Sequence, residues 1–106
     1  MKYQYVKARI NEAIDELCIG AGDARKRLLS VNRVTANLLD VHFPEELLDD
    51  WKSIQQRMAK KGPRKNYEGK SVEGAVAHTM SSIQNRTAVK IAEDILKLHK
   101  NLQSEY

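Results

Sequence analysis

Cysteine is nearly absent from this chain. Cys18 is the only one in 106 residues, so no disulfide can close within it. A lone cysteine among apolar helix positions reads as a small hydrophobe rather than a reactive thiol. Aromatic side chains are also scarce: Trp51, Phe43, Tyr3, Tyr5, Tyr67 and Tyr106 are the whole set, which leaves most of any core to aliphatic residues. No apolar run approaches the roughly 18 residues of a membrane span. The first residues, Met-Lys-Tyr-Gln-Tyr-Val-Lys, lack the apolar stretch of about 7–15 residues that a secretory signal needs. The expectation is a cytoplasmic protein with no membrane association. Strict alternation of apolar and polar residues is missing too, so no strand is expected. Pro44, Pro63 and five glycines are the only strong helix breakers.

What remains is helical periodicity. Tyr3, Val6, Ile10, Ala13, Ile14, Leu17 and Cys18 recur at spacings of three and four and define one face. Gly20 and Gly22 end that pattern, and Asp23 is placed to cap a second helix. The second helix turns Ala24, Leu28, Val31, Thr35, Leu38 and Leu39 inward and stops near Pro44, since proline disfavours helix at the residue before it. Pro44, Glu45 and Glu46 suit the first turn of a third helix. Leu47, Leu48, Trp51, Ile54 and Met58 form its stripe, and Gly62-Pro63 stops it. Residues 62–70 lack periodicity and read as a loop, with Ser71 able to cap the next helix. Val76, Met80, Ile83 and Thr87 form one further stripe; Ala88, Ile91, Ile95, Leu98 and Leu102 form another. With no glycine or proline between them, they read as one continuous helix from about Val72 to Gln103, Asn85-Arg86-Thr87 being the alternative place for a bend.

The fold class expected is therefore all-α: one domain, a bundle of four to five helices at approximately 3–19, 23–41, 45–61 and 72–103. Short connections favour antiparallel neighbours. An unbroken last helix would run roughly 45–50 Å at 1.5 Å per residue. One end would then project or pair with another chain, which makes a homodimer one expected partner arrangement.

Charge is unevenly placed. Residues 57–70 carry Arg57, Lys60, Lys61, Arg64, Lys65 and Lys70 against Glu68 alone, a net +5 in a chain of formal charge +4. The other residues hold twelve cations and thirteen carboxylates. This segment is the candidate anion site, most simply for nucleic-acid phosphates, with Tyr67 able to stack on a base. The competing reading is a solvated loop whose lysines serve solubility. A second cluster, Arg25-Lys26-Arg27 with Arg33, is weaker, because three consecutive helical residues fan over nearly 300° at about 100° each.

The familiar chemical motifs fail. Gly69-Lys70-Ser71 resembles the end of a phosphate-binding P-loop, but Arg64 stands where that motif needs its first glycine, and no strand is expected before it. His42, His78, His99 and Cys18 are too scattered for paired metal ligands, so neither metal nor cofactor is expected. The close arginine–histidine spacing of HEPN-type ribonucleases is absent: Arg33 lies too far before His42, and Arg86 farther still before His99. One polar constellation is left, Asn32 on the second helix with His78, Ser82 and Asn85 along the later one. It is either a satisfied buried network or the lining of a small cleft. The expected function is that of a non-enzymatic accessory or regulatory domain binding a macromolecule: a protein partner, its own copy, or nucleic acid through residues 57–70. The alternative is a small hydrolase or ribonuclease with an unorthodox site near His78 and Asn85.

Overall fold

The computed structural model describes residues 3–106. Their order is α1 (Gln4–Ile19), α2 (Ala24–Val34), a 3-10 turn (Asp40–His42), α3 (Glu45–Met58), β1 (Arg64–Lys65), β2 (Ser71–Glu73), α4 (Ala75–Ser82) and α5 (Asn85–Glu105). The all-α expectation holds. α5 is the hub, packing on α1, α2 and α3, while α4 lies against α2 and α3.

The core follows the stripes. Val6, Ile10 and Ala13 of α1, Leu28 and Val31 of α2, Leu47, Trp51, Ile54 and Met58 of α3, and Ala88, Ile91, Ile95, Leu98 and Leu102 of α5 are buried in one cluster. Phe43 stacks on Trp51 with ring centroids 5.0 Å apart. Asp23 caps α2 as its position suggests, its Oδ1 accepting from the backbone N–H groups of Arg25 and Lys26. Gly22 before it sits at φ 82°, a conformation that favours glycine.

Several expectations are corrected. The second helix ends at Val34, not near residue 41. The Thr35 hydroxyl and the Thr35 N–H both bond the Val31 carbonyl, at 2.8 and 3.0 Å, and the chain then tightens through Leu38 N–H to Thr35 O. This turn drops Leu38 and Phe43 into the core but leaves Leu39 exposed rather than inward, and Val41 84% exposed. The third helix likewise ends early, at Met58, followed by a turn through Lys61.

The segment expected as a loop, in a chain expected to hold no strand, is an ordered hairpin. β1 and β2 pair antiparallel, Arg64 opposite Glu73 and Lys65 opposite Ser71. Asn66 builds its turn: Oδ1 accepts from the N–H groups of Glu68 and Lys70, both at 3.0 Å, and Gly69 takes φ 82°. Ser71 therefore lies in a strand and caps nothing; α4 starts after Gly74.

In the stretch 72–103, Val72 and Glu73 belong to β2 and the rest is two helices, as the alternative bend allowed, parted at Ile83 and Gln84, whose ψ angles of 160° and 153° are extended. Side chains, not glycine or proline, make the break. The hydroxyls of Ser81 and Ser82 both bond the His78 carbonyl at 2.8 Å. From α2, Arg25 Nη1 donates to the Ile83 carbonyl at 3.3 Å, and the Ala24 N–H donates to Asn85 Oδ1 at 3.1 Å. No helix among the described residues is long and apolar enough to cross a membrane.

Candidate nucleic-acid interface

The basic segment begins on the last turn of α3, where Arg57 is held by α5. Its Nη1 donates to Asp94 Oδ2 at 2.7 Å, and Lys90 Nζ approaches Asp94 Oδ1 at 3.7 Å. Partial burial would raise the Asp94 carboxyl, but the Arg57 hydrogen bond and the charges of Arg57, Lys90 and Lys97 outweigh it and hold the group below its ordinary value. Lys60 and Lys61 come next, and form no ion pair among the described residues. Lys60 and Lys61 are both exposed.

Two bonds latch this stretch to α4. The fully buried Thr79 accepts the Lys61 backbone N–H at 3.0 Å while its own hydroxyl donates to the Ala75 carbonyl at 2.8 Å. His78 Nδ1 lies 3.0 Å from the Gly62 carbonyl, which makes that nitrogen the protonated one. The base of the hairpin is thus fixed before the hairpin begins.

Between α3 and the α4–α5 junction lies a groove of about 400 Å³. Arg57, Lys60, Lys61 and Lys90 rim it, the Ser82 and Thr87 hydroxyls line it, and Ile83 and Ile91 complete its lining. Among the described residues no carboxylate lines it. Beyond it the hairpin carries Arg64, Lys65 and Lys70, of which only Arg64 meets a carboxylate among the described residues, Glu73 at 3.4 Å. Tyr67, 96% exposed, stands on the Asn66 turn. The ring is thus uncovered, on a turn whose flanking residues include Lys65 and Lys70.

All seven residues singled out from sequence (Arg57, Lys60, Lys61, Arg64, Lys65, Tyr67 and Lys70) fall on this groove and hairpin. Arg57 and Arg64 are partly engaged in ion pairs. Missed in the sequence were Lys90, Thr87 and Ser82 as groove residues. Their only local signal is that Thr87, Lys90 and Ile91 succeed one another at helical spacing, which does not say that α3 ends beside them.

The polar quartet is not brought together. Asn32 is half-buried on α2, and His78 turns to Gly62. Ser82 lines the basic groove, whereas Asn85 caps α2 through Ala24 and lines a separate groove between α1 and α5. The second basic cluster serves the fold: Arg25 pairs with Asp23 at 2.8 Å, Arg27 Nη1 donates to the Leu17 carbonyl at 3.0 Å, and Arg33 lies 3.9 Å from Glu16. Among the described residues no three His, Cys, Asp or Glu side chains gather closely enough to hold a metal ion. Neither a family model, nor a curated protein, nor a solved structure matches the chain.

Proposed function

We propose that the domain is an accessory or regulatory module that binds single-stranded nucleic acid through the α3–α5 groove and the β1–β2 hairpin. The observation that carries this reading is the groove lined by four cations and no carboxylate, running by chain into the hairpin that presents Tyr67. A phosphate backbone gains most of its affinity from such cations through counterion release. An unpaired base supplies the π-face that an uncovered tyrosine can stack on, which a closed duplex withholds. Lys60 and Lys61 supply free charge in the groove; the Thr87 hydroxyl offers a hydrogen bond to a phosphate oxygen; Lys65 and Lys70 extend the track to the ring. The unorthodox hydrolase reading near His78 and Asn85 draws no support from their placement, since the two side chains bond different elements.

The test is binding of a fluorescent single-stranded oligonucleotide followed by anisotropy. Tyr67→Ala is expected to weaken binding by about fivefold or more, the low end of what base stacking contributes. The charge-neutral variant Lys60→Gln/Lys61→Gln/Lys65→Gln is expected to weaken it further without unfolding the domain, because none of the three side chains lies in the core. Equal affinity for a matched duplex, with no effect of Tyr67→Ala, would sink the single-strand reading. No binding at low ionic strength would sink the nucleic-acid reading altogether.

A further inference from the structure

On the side of α5 that meets α1, a groove of about 440 Å³ is lined chiefly by apolar residues, among them Ile14, Leu17 and Cys18 of α1 and Val89, Ala92 and Leu96 of α5. Val89 and Leu96 are each 40% exposed. Small side chains at Cys18, Ala24 and Ala92 leave the hollow open, and no described segment covers it. The basic groove uses a different part of α5, around Lys90 and Ile91.

We infer that this groove is the interface of a homodimer in which α5 of one copy crosses α5 of a second copy antiparallel, close to Leu96. The charges on α5 point to a second copy rather than a foreign helix. At about 1.5 Å per residue, Glu93 lies roughly 4.5 Å before Leu96 along the helix axis and Lys100 roughly 6 Å beyond it. At about 100° per residue, both lie on the same side of the helix as Leu96, within roughly 60° of it. A two-fold axis beside Leu96 reverses the helix direction and preserves that side. It therefore sets Glu93 of each copy against Lys100 of the other, two ion pairs from one symmetry operation. A parallel crossing would set Glu93 level with Glu93 and Lys100 level with Lys100 on opposite sides of the seam, and so form neither pair. Neither residue is buried in the core, and neither forms an ion pair among the described residues, so both are free to make this contact. Leu96 then meets Leu96 over the apolar hollow, and Val89 extends the covered patch.

The interface does not rest on the nucleic-acid reading, and the two fail separately. Sedimentation velocity over a concentration series up to about 1 mM is the primary test, with dimer expected within that range. Leu96→Glu is expected to give a monomer whose circular dichroism is unchanged, the side chain being part-exposed. Glu93→Lys alone and Lys100→Glu alone are each expected to weaken the dimer about tenfold, and Glu93→Lys combined with Lys100→Glu to restore it. Cys18, the only thiol and exposed in the single chain, should react more slowly with a maleimide at dimer-forming concentrations. A wild-type monomer at about 1 mM overturns the inference and leaves the hollow to a helix of another protein. A dimer indifferent to Leu96→Glu, or a double charge swap that fails to restore association, overturns it equally.

Discussion

Replacing Thr79 by valine removes one oxygen and leaves the shape of the side chain almost unchanged, which isolates the latch between α4 and the basic segment. That oxygen accepts the Lys61 N–H at 3.0 Å and donates to the Ala75 carbonyl at 2.8 Å, in a side chain with no exposed surface. The Ala75 carbonyl keeps the Thr79 N–H within the helix, so its loss is small. The Lys61 N–H has no such substitute and becomes an unpaired donor in a partly buried place. The lost bond and the stranded donor together cost about 1–3 kcal/mol. For a domain of this size, each kcal/mol lowers the midpoint of thermal unfolding by about 4–8 °C. Thermal and urea unfolding measure the first consequence; hydrogen exchange of the Lys61 amide measures the second, expected to accelerate by more than the global change explains. Because the latch orients the stretch from Lys60 to Arg64, oligonucleotide affinity should fall modestly as well. Thr79→Ser, which keeps the oxygen, should leave Lys61 exchange near wild type. A valine variant within about 0.5 kcal/mol of wild type, with Lys61 exchange unchanged, would refute the latch.

Asp94→Asn should move stability and binding in opposite directions. It removes the carboxylate that holds Arg57 and Lys90, costing about 0.5–1 kcal/mol in urea unfolding, and it raises oligonucleotide affinity by freeing two cations beside the groove. The folded protein holds the Asp94 carboxyl below its ordinary value of 3.8, so its contribution is present above that pH and lost as pH falls through the lower folded value; acid titrations of unfolding should show this loss in wild type and not in the variant. At the other extreme, Tyr106 donates to Glu46 Oε2 at 2.8 Å, and that bond, with burial and the Glu46 charge, pushes the phenol up to about 12. Its contribution is full below about pH 10 and lost as pH rises through about 12, so Tyr106→Phe should flatten the alkaline limb of a stability–pH profile.

The stripes of α3 and α5 were readable because almost every apolar residue at helical spacing is buried there: Leu47, Trp51, Ile54 and Met58, and Ala88 through Leu102. Asp23 was readable because a cap acts on its own next two or three residues. The break at Ile83–Gln84 was legible only as an alternative bend at Asn85-Arg86-Thr87, because Arg25 and Ala24 reach it from 58 and 61 residues away. Leu39 misled for the opposite reason. It is apolar and follows Leu38, yet the turn after Thr35 buries Leu38 and Phe43 and leaves Leu39 exposed. The hairpin escaped notice because strands of two and three residues are too short to show alternation, although Asn66 and Gly69 were turn residues in plain sight. The basic segment was legible as a charge excess. Its completion by Lys90, Ser82 and Thr87 was not, since nothing local places the end of α3 beside the start of α5.

The salt dependence of oligonucleotide binding tests the central proposal most directly. Each phosphate neutralised on a single strand contributes about −0.7 to the slope of log K against log salt. If Lys60, Lys61, Lys65 and Lys70 each engage one phosphate, the slope should be about −3 or steeper and should become shallower by about 0.7 with each of these lysines changed to glutamine. A slope near zero, or one that the four substitutions leave unchanged, would contradict a nucleic-acid interface on this face.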